Sequence, residues 1–366
     1  MLFADGRDQP LSRDFLVFWL ASAGIWAGEF TKVFDPWEFS KALHAILGGP
    51  LAFTPFPYPP LAAWFIAPLA AVPLAVSWPT WLIATFAAFA TTLRRFFATR
   101  TQWLLILLTA PASLVNIVDG QNGFLSAALL AGGLLALERR PILAGLLIGL
   151  LTFKPQLGLL LPFVLLAGGY YRVFVAASVT TLFLFAASIA LLGWNPWSLY
   201  FDVGLPMQQR LLETGTGPFM AMVPTFVMSA RILDLPIWLG YGLQAIVAVI
   251  VLIVCCWAIR QKAPLERRIA VIMAGAVLAP PYCFNYDLTI LVAAQVLAWP
   301  GYRALVVSER TVFALAWLLP VLMVAAGIAH LPVAPIIILA QFLVIVRGLA
   351  VPTAAGLSAD ARSAAA

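Results

Sequence analysis

The chain has 366 residues, 63% of them hydrophobic and only 10% charged, with a formal net charge of +6. A soluble fold coats its surface with about 25% charged residues, so this composition excludes a soluble globular protein. Mean hydropathy is +1.00, apolar stretches long enough to cross a bilayer recur, and the alternation of a β-barrel is missing, which implies an all-α polytopic integral membrane protein.

Charged residues cluster between long neutral stretches and sort by sign. Loops beginning at Arg94, Arg139, Arg172, Arg260, Arg303 and Arg347 hold 14 basic residues against Glu138, Glu266, Glu309 and Asp360; the other segments hold 7 basic residues against 11 acids. The positive-inside rule assigns the first set to the cytoplasm and the second to the outer face, without any need for nucleic acid as a partner.

In chain order, residues 1–57 read as an outer segment. It contains the amphipathic DFLVFWLASAGIWAG, whose Trp19 and Trp26 suit an interface-lying helix, a second helical piece PWEFSKALHAIL, and the Pro-rich FTPFPYPP. A transmembrane module over 58–193 follows, with spans at 58–93, 103–118, 120–137, 142–155, 157–169 and 173–193. The first is long enough for two helices broken near Ser77-Trp78-Pro79, and is taken as one net crossing to keep Arg94 inside. Residues 194–235 form a second outer loop, with 218–233 as a re-entrant candidate. A C-terminal bundle over 236–350 holds spans at 236–258, 268–282, 286–300, 311–329 and 331–350, giving eleven crossings. The Ala-rich tail 351–366 reads as cytoplasmic and disordered.

Cys255, Cys256 and Cys283 lack metal or redox spacing and read as small apolar fillers. The start MLFADGRDQPLSRD has acids and no apolar core, so it is not a signal peptide. His44 and His330 are isolated, so no metal site is expected, and no P-loop, GxSxG or HExxH pattern occurs.

Polar residues within apolar surroundings carry the functional signal. Asp14 precedes an amphipathic segment, either as a helix N-cap or as a carboxylate able to take a proton from a hydroxyl. Lys154 is the only charged residue between Arg140 and Arg172. An unpaired ammonium at depth costs roughly 2.5 to 3.5 kcal/mol, so it should snorkel outward, pair, or meet an anionic ligand beside Pro155 and Gln156. Gln121 and Asn122 form a second polar apex or a simple turn. In PPYCFNYDLTI, Asp287 either caps the next helix or holds a sugar or a basic partner such as Lys154 or Arg210, next to Tyr286.

DFLVFW, FPYPPL, GQNGFLSAALL, RRPILAGLLIGLLTFKPQLGLLLP and PPYCFNYDL, in this order across about 14–300, resemble glycosyltransferase family 87. The resemblance implies a GT-C-type helical bundle related to polyprenyl-phosphate-mannose-dependent α-mannosyltransferases, in a bacterial plasma membrane. It implies transfer with inversion from a polyprenyl-phosphate sugar, most readily mannose, to a glycolipid or glycan hydroxyl on the non-cytoplasmic face. Asp14 would be the general base, Lys154 and then Arg210 would hold the donor phosphate, and Tyr58, Gln121, Asn122, Gln156, Tyr286 and Asp287 would contact substrate. No cofactor or metal is expected, because one or two cations suffice for a phosphate leaving group. Family members begin with a span ahead of the DF segment, whereas thirteen residues precede Asp14 here. The expectation is therefore a first helix missing from this sequence or a start further upstream. Members also often carry histidine beside the later aspartate, where this chain has Asn285, so no role for that histidine transfers.

The competing readings are a transporter or lipid flippase, which would show inverted repeats and a midplane site, and a catalytically silent scaffold. No matching halves are visible, and the polar residues collect on one face.

Overall fold

The structure is a computed structural model that describes residues 13–47, 53–298 and 305–350. The segment ahead of Arg13 and the tail 351–366 lie outside the described residues. Every regular element among those described is helical.

The amino-terminal part comprises α1 (Arg13–Trp26), α2 (Phe30–Phe34), α3 (Pro36–Leu47), the short α4 (Ala63–Ile66) and α5 (Leu74–Leu93). Then come α6 (Arg100–Thr109), α7 (Pro111–Asp119), α8 (Gly123–Ala136), α9 (Pro141–Leu150), α10 (Leu161–Ala167) and α11 (Tyr171–Leu192). Residues 194–235 are also largely helical, with α12 (Asn195–Leu199), α13 (Leu205–Thr214), α14 (Pro218–Met222) and α15 (Phe226–Ile232). The last part contains α16 (Ile237–Ile259), α17 (Leu265–Leu278), α18 (Thr289–Ala298), α19 (Val307–Ile328) and α20 (Ala334–Arg347).

Among the described residues four helices are long and apolar enough to cross a membrane: α5 with its 3₁₀ extension to Phe96, α11, α16 and α19. A fifth span arises if α6 and α7, bent by 65° at Ala110, count as one. The other predicted spans correspond to shorter apolar helices, paired in part across breaks, and to α17. That helix carries Glu266, Arg267 and Arg268 in its first turn and is buried on every side from Ile269 to Leu278. It forms the centre of the bundle, packed against α8, α16, α18 and α20. Where α9 meets α11, small residues allow near backbone contact: a Cβ at Gly145 would lie 2.4 Å from the Ala176 Cβ.

Two expectations are corrected. The break in 58–93 falls at Val72-Pro73, not at Ser77-Trp78-Pro79. Pro73 drives Val72 into an extended conformation, with φ −131° and ψ 157°. Pro79 lies in the second turn of α5, where it forfeits the backbone bond to the Ala75 carbonyl while the helix continues to Leu93. The DFLVFW helix is not laid on the interface either. Phe15, Leu16, Val17 and Phe18 are all buried, so α1 is part of the core. Only its far end resembles an interfacial anchor: Trp26 is 68% exposed, and its indole donates to the Ala67 carbonyl at 2.7 Å.

Candidate functional site

Three chain breaks build the site, each caused by helix-stopping residues. Helix α7 ends at Gly120, whose φ of +69° is left-handed backbone that glycine adopts freely. The following Gln121-Asn122 turn leads into α8. Pro155 has no N–H with which to continue α9 and pushes Lys154 to φ −127° and ψ 74°, between two 3₁₀ turns. Pro280 and Pro281 end the α17 segment, and the chain resumes in a 3₁₀ turn, Asn285–Leu288, ahead of α18.

Asn116 fastens the first break to the third. Its Nδ2 donates to the Tyr286 carbonyl at 3.0 Å and to Thr289 Oγ1 at 2.8 Å, while its Oδ1 accepts from Gly123 N–H at 2.8 Å. The contact requires glycine at 123, because a Cβ there would lie 2.2 Å from the Tyr286 carbonyl oxygen. Reading the sequence by charged residues and turn signals missed Asn116; a polar residue inside the apolar run SLVNIV was the signal available.

Lys154 and Asp287 form an ion pair with Nζ to Oδ1 at 2.6 Å, and the two residues are only 3% and 1% exposed. Lys154 therefore does not snorkel. Its ammonium also lies 4.5 Å from the Tyr286 ring centroid, a cation–π contact strengthened by desolvation. Asp287 unites two roles that the sequence left as alternatives, since its Oδ2 accepts from Phe284 N–H at 3.2 Å and caps the turn.

Asp14 lies inside α1, with Arg13 already helical before it, so it is not the N-cap. Its Oδ2 accepts from Gln121 Nε2 at 2.7 Å. Asn122 is buried next to it in sequence and donates through Nδ2 to the Tyr58 hydroxyl at 2.8 Å. With both amide nitrogens committed, the oxygens Gln121 Oε1 and Asn122 Oδ1 have no partner, and neither has Asn285 Oδ1. Buried acceptors without donors cost about 1–3 kcal/mol each, a cost that a donor from a ligand would remove.

A cleft of about 30 Å³ runs between these elements, lined by Tyr58, Lys154, Gln156, Tyr282, Tyr286 and Asp287, with Gln208 at its edge. At roughly 10–15 Å³ per water position it holds about two waters. Gln208 Nε2 donates to the Pro57 carbonyl at 2.9 Å, tying α13 over the opening. Arg210 does not join this group: it is exposed on α13, two residues along from Gln208 and hence on another side of the helix. Gln208, Tyr200 and Tyr282 line the cleft and were not singled out in the sequence, where nothing separates them from other loop polar and aromatic residues. Among the described residues no group of three His, Cys, Asp or Glu side chains is placed to hold a metal ion.

An all-helical membrane protein with a buried polar cleft at one end of its bundle is thus defined. Its residues 56–281 match the model of glycosyltransferase family 87, and the chain belongs to that family. It is a membrane glycosyltransferase. The match contains Tyr58, Gln121, Asn122, Lys154, Gln156 and Arg210, while Asp14, Tyr286 and Asp287 fall outside it. Searches of the curated proteins and of the solved structures return no match.

Proposed function

We propose that the chain moves a sugar, mannose first among candidates, from a polyprenyl phosphate to a hydroxyl of a glycolipid or polysaccharide. The reaction takes place on the non-cytoplasmic face of a bacterial plasma membrane, within a GT-C-type bundle of eleven crossings. The observation carrying this reading is the joint presence, in a family 87 chain, of a carboxylate held by an amide and a buried lysine at one group of chain breaks.

In this reading Asp14 takes the proton of the acceptor hydroxyl as that oxygen forms its bond to the anomeric carbon. The bond from the anomeric carbon to the phosphate oxygen breaks on the opposite side, inverting the centre, and polyprenyl phosphate departs with the electron pair. Gln121 Nε2 orients the Asp14 carboxylate, and the amide oxygens of Gln121 and Asn122 accept sugar hydroxyls. Lys154 has three N–H donors, of which Asp287 takes one, so two remain for the phosphate beside Gln156. Arg210 would meet the donor only from outside the cleft. A cation beside a leaving group that already carries negative charge supplies the stabilisation without a metal.

The cleft is too small for a sugar, so entry must separate α13 from Pro57, and the Gln208 contact is the link that yields. The test is transfer of labelled mannose from polyprenyl-phosphate mannose in membranes containing the chain. Retention of label on the donor with every sugar tried would return the transporter reading.

A further inference from the structure

A second cavity lies far from the polar cleft, between the junction of α5 with α6 and the pair α18–α19. It is a half-open groove of about 670 Å³, within the roughly 300–1,000 Å³ of small-molecule pockets. Its walls are Phe96, Phe97, Ile106, Phe313, Trp317 and Leu318. Gln295, also in the wall, comes eight residues after Asp287 along the turn and α18, which places the groove about 12 Å deeper along the helix axis. Its polar group is satisfied, with Nε2 donating to the Phe313 carbonyl at 2.9 Å.

The rim of this groove is cationic. Arg94 lies over the Trp103 ring at 5.5 Å, and Arg95 over the wall residue Phe96 at 4.9 Å. Arg100 is exposed between the wall residues Ala98 and Gln102. Arg310, whose Nε donates to the Leu305 carbonyl at 3.1 Å, is exposed one turn before Phe313 and Ala314, on the same side of α19. Among the described residues the acids of this end are engaged: Glu266 pairs with Arg95 at 3.1 Å, Glu138 with Arg268 at 2.8 Å, and Glu309 with Arg347. By the positive-inside rule this end is cytoplasmic, where lipid headgroups meet helix ends.

We propose that the groove is a specific site for an anionic glycerophospholipid. One acyl chain lies along Ile106, Phe313 and Trp317, and the headgroup phosphate is held by Arg100 and Arg310. The apolar walls select a hydrocarbon chain and the rim selects negative charge, so a zwitterionic lipid with the same chains lacks half of the recognition. The site stands independently of the transferase reading.

The test uses the purified full chain in dodecyl maltoside micelles, titrated with brominated phosphatidylglycerol or with phosphatidylcholine carrying the same brominated chains. Saturable quenching of tryptophan by phosphatidylglycerol is expected, with a component lost in Trp317→Phe. Phosphatidylcholine should bind at least tenfold more weakly, and Arg100→Gln/Arg310→Gln should bring phosphatidylglycerol down to that level. Equal quenching by the two lipids in the unmodified protein would overturn the proposal, whatever the variants do. So would displacement of phosphatidylglycerol by stoichiometric polyprenyl phosphate, which would make the groove an isoprenoid site.

Discussion

Replacing Lys154 with Met tests the ion pair at the centre of the site. The substitution leaves the Asp287 carboxylate buried with two remaining donors, Phe284 N–H and the weak Cys283 S–H, while removing a partner at 2.6 Å and a cation from the Tyr286 face. Breaking a buried pair by deleting one charge costs about 3–5 kcal/mol. Asp287→Asn leaves an acceptor for Phe284 N–H and the cation–π contact for Lys154, so its cost falls at the lower end of that range. The double variant Lys154→Met/Asp287→Asn contains no uncompensated charge and should return to within about 2 kcal/mol of the parent. The assay is unfolding by sodium dodecyl sulfate in mixed micelles, run beside binding of polyprenyl phosphate. Recovery of stability in the double variant without recovery of lipid-phosphate binding is the expected pattern. Additive losses, or a Lys154→Met protein as stable as the parent, would refute the buried pair.

Other substitutions probe the turns around it. Gly123→Ala places a Cβ against the Tyr286 carbonyl and should destabilise by about 1–3 kcal/mol, read in the same unfolding assay. Asn285→Leu removes a buried oxygen that has no donor, so stability should hold or rise by about 1 kcal/mol while affinity for sugar falls; titration with octyl mannoside checks this. Gln208→Ala frees α13 from Pro57 and should raise the rate of donor binding in stopped-flow fluorescence with little change in unfolding. Tyr58→Phe leaves the Asn122 amide donor buried without its acceptor, a loss of about 1–3 kcal/mol.

Hydropathy located α5, α11, α16 and α19, because in lipid a backbone must satisfy its own hydrogen bonds, whereas the short α12 and α13 within 194–235 were not read as helices. The Lys154-Pro155 break was legible because Pro155 has no backbone N–H to donate and pushes Lys154 out of the helical region. Less legible was the depth of α1, since four consecutive buried residues, Phe15 to Phe18, depend on neighbours that only the fold supplies. The pairing of Lys154 with Asp287 was one of several options in the sequence, because partners 133 residues apart are chosen by packing and not by spacing. Arg210 shows the opposite case. Its charge drew attention, but its position on α13 keeps it outside the cleft, while the neutral Gln208 faces in. Asn116 was overlooked because it contacts no charged group, although it ties two of the three breaks together.

The most direct measurement is transfer of labelled mannose from polyprenyl-phosphate mannose to endogenous lipid or glycan in membranes containing either the parent chain or Asp14→Asn. The parent should transfer label, and the variant, inserted at the same level, should lose at least the roughly 10²–10⁴-fold that a positioned base contributes. An Asn variant that transfers as fast as the parent would remove Asp14 from the chemistry and, with it, the proposed mechanism.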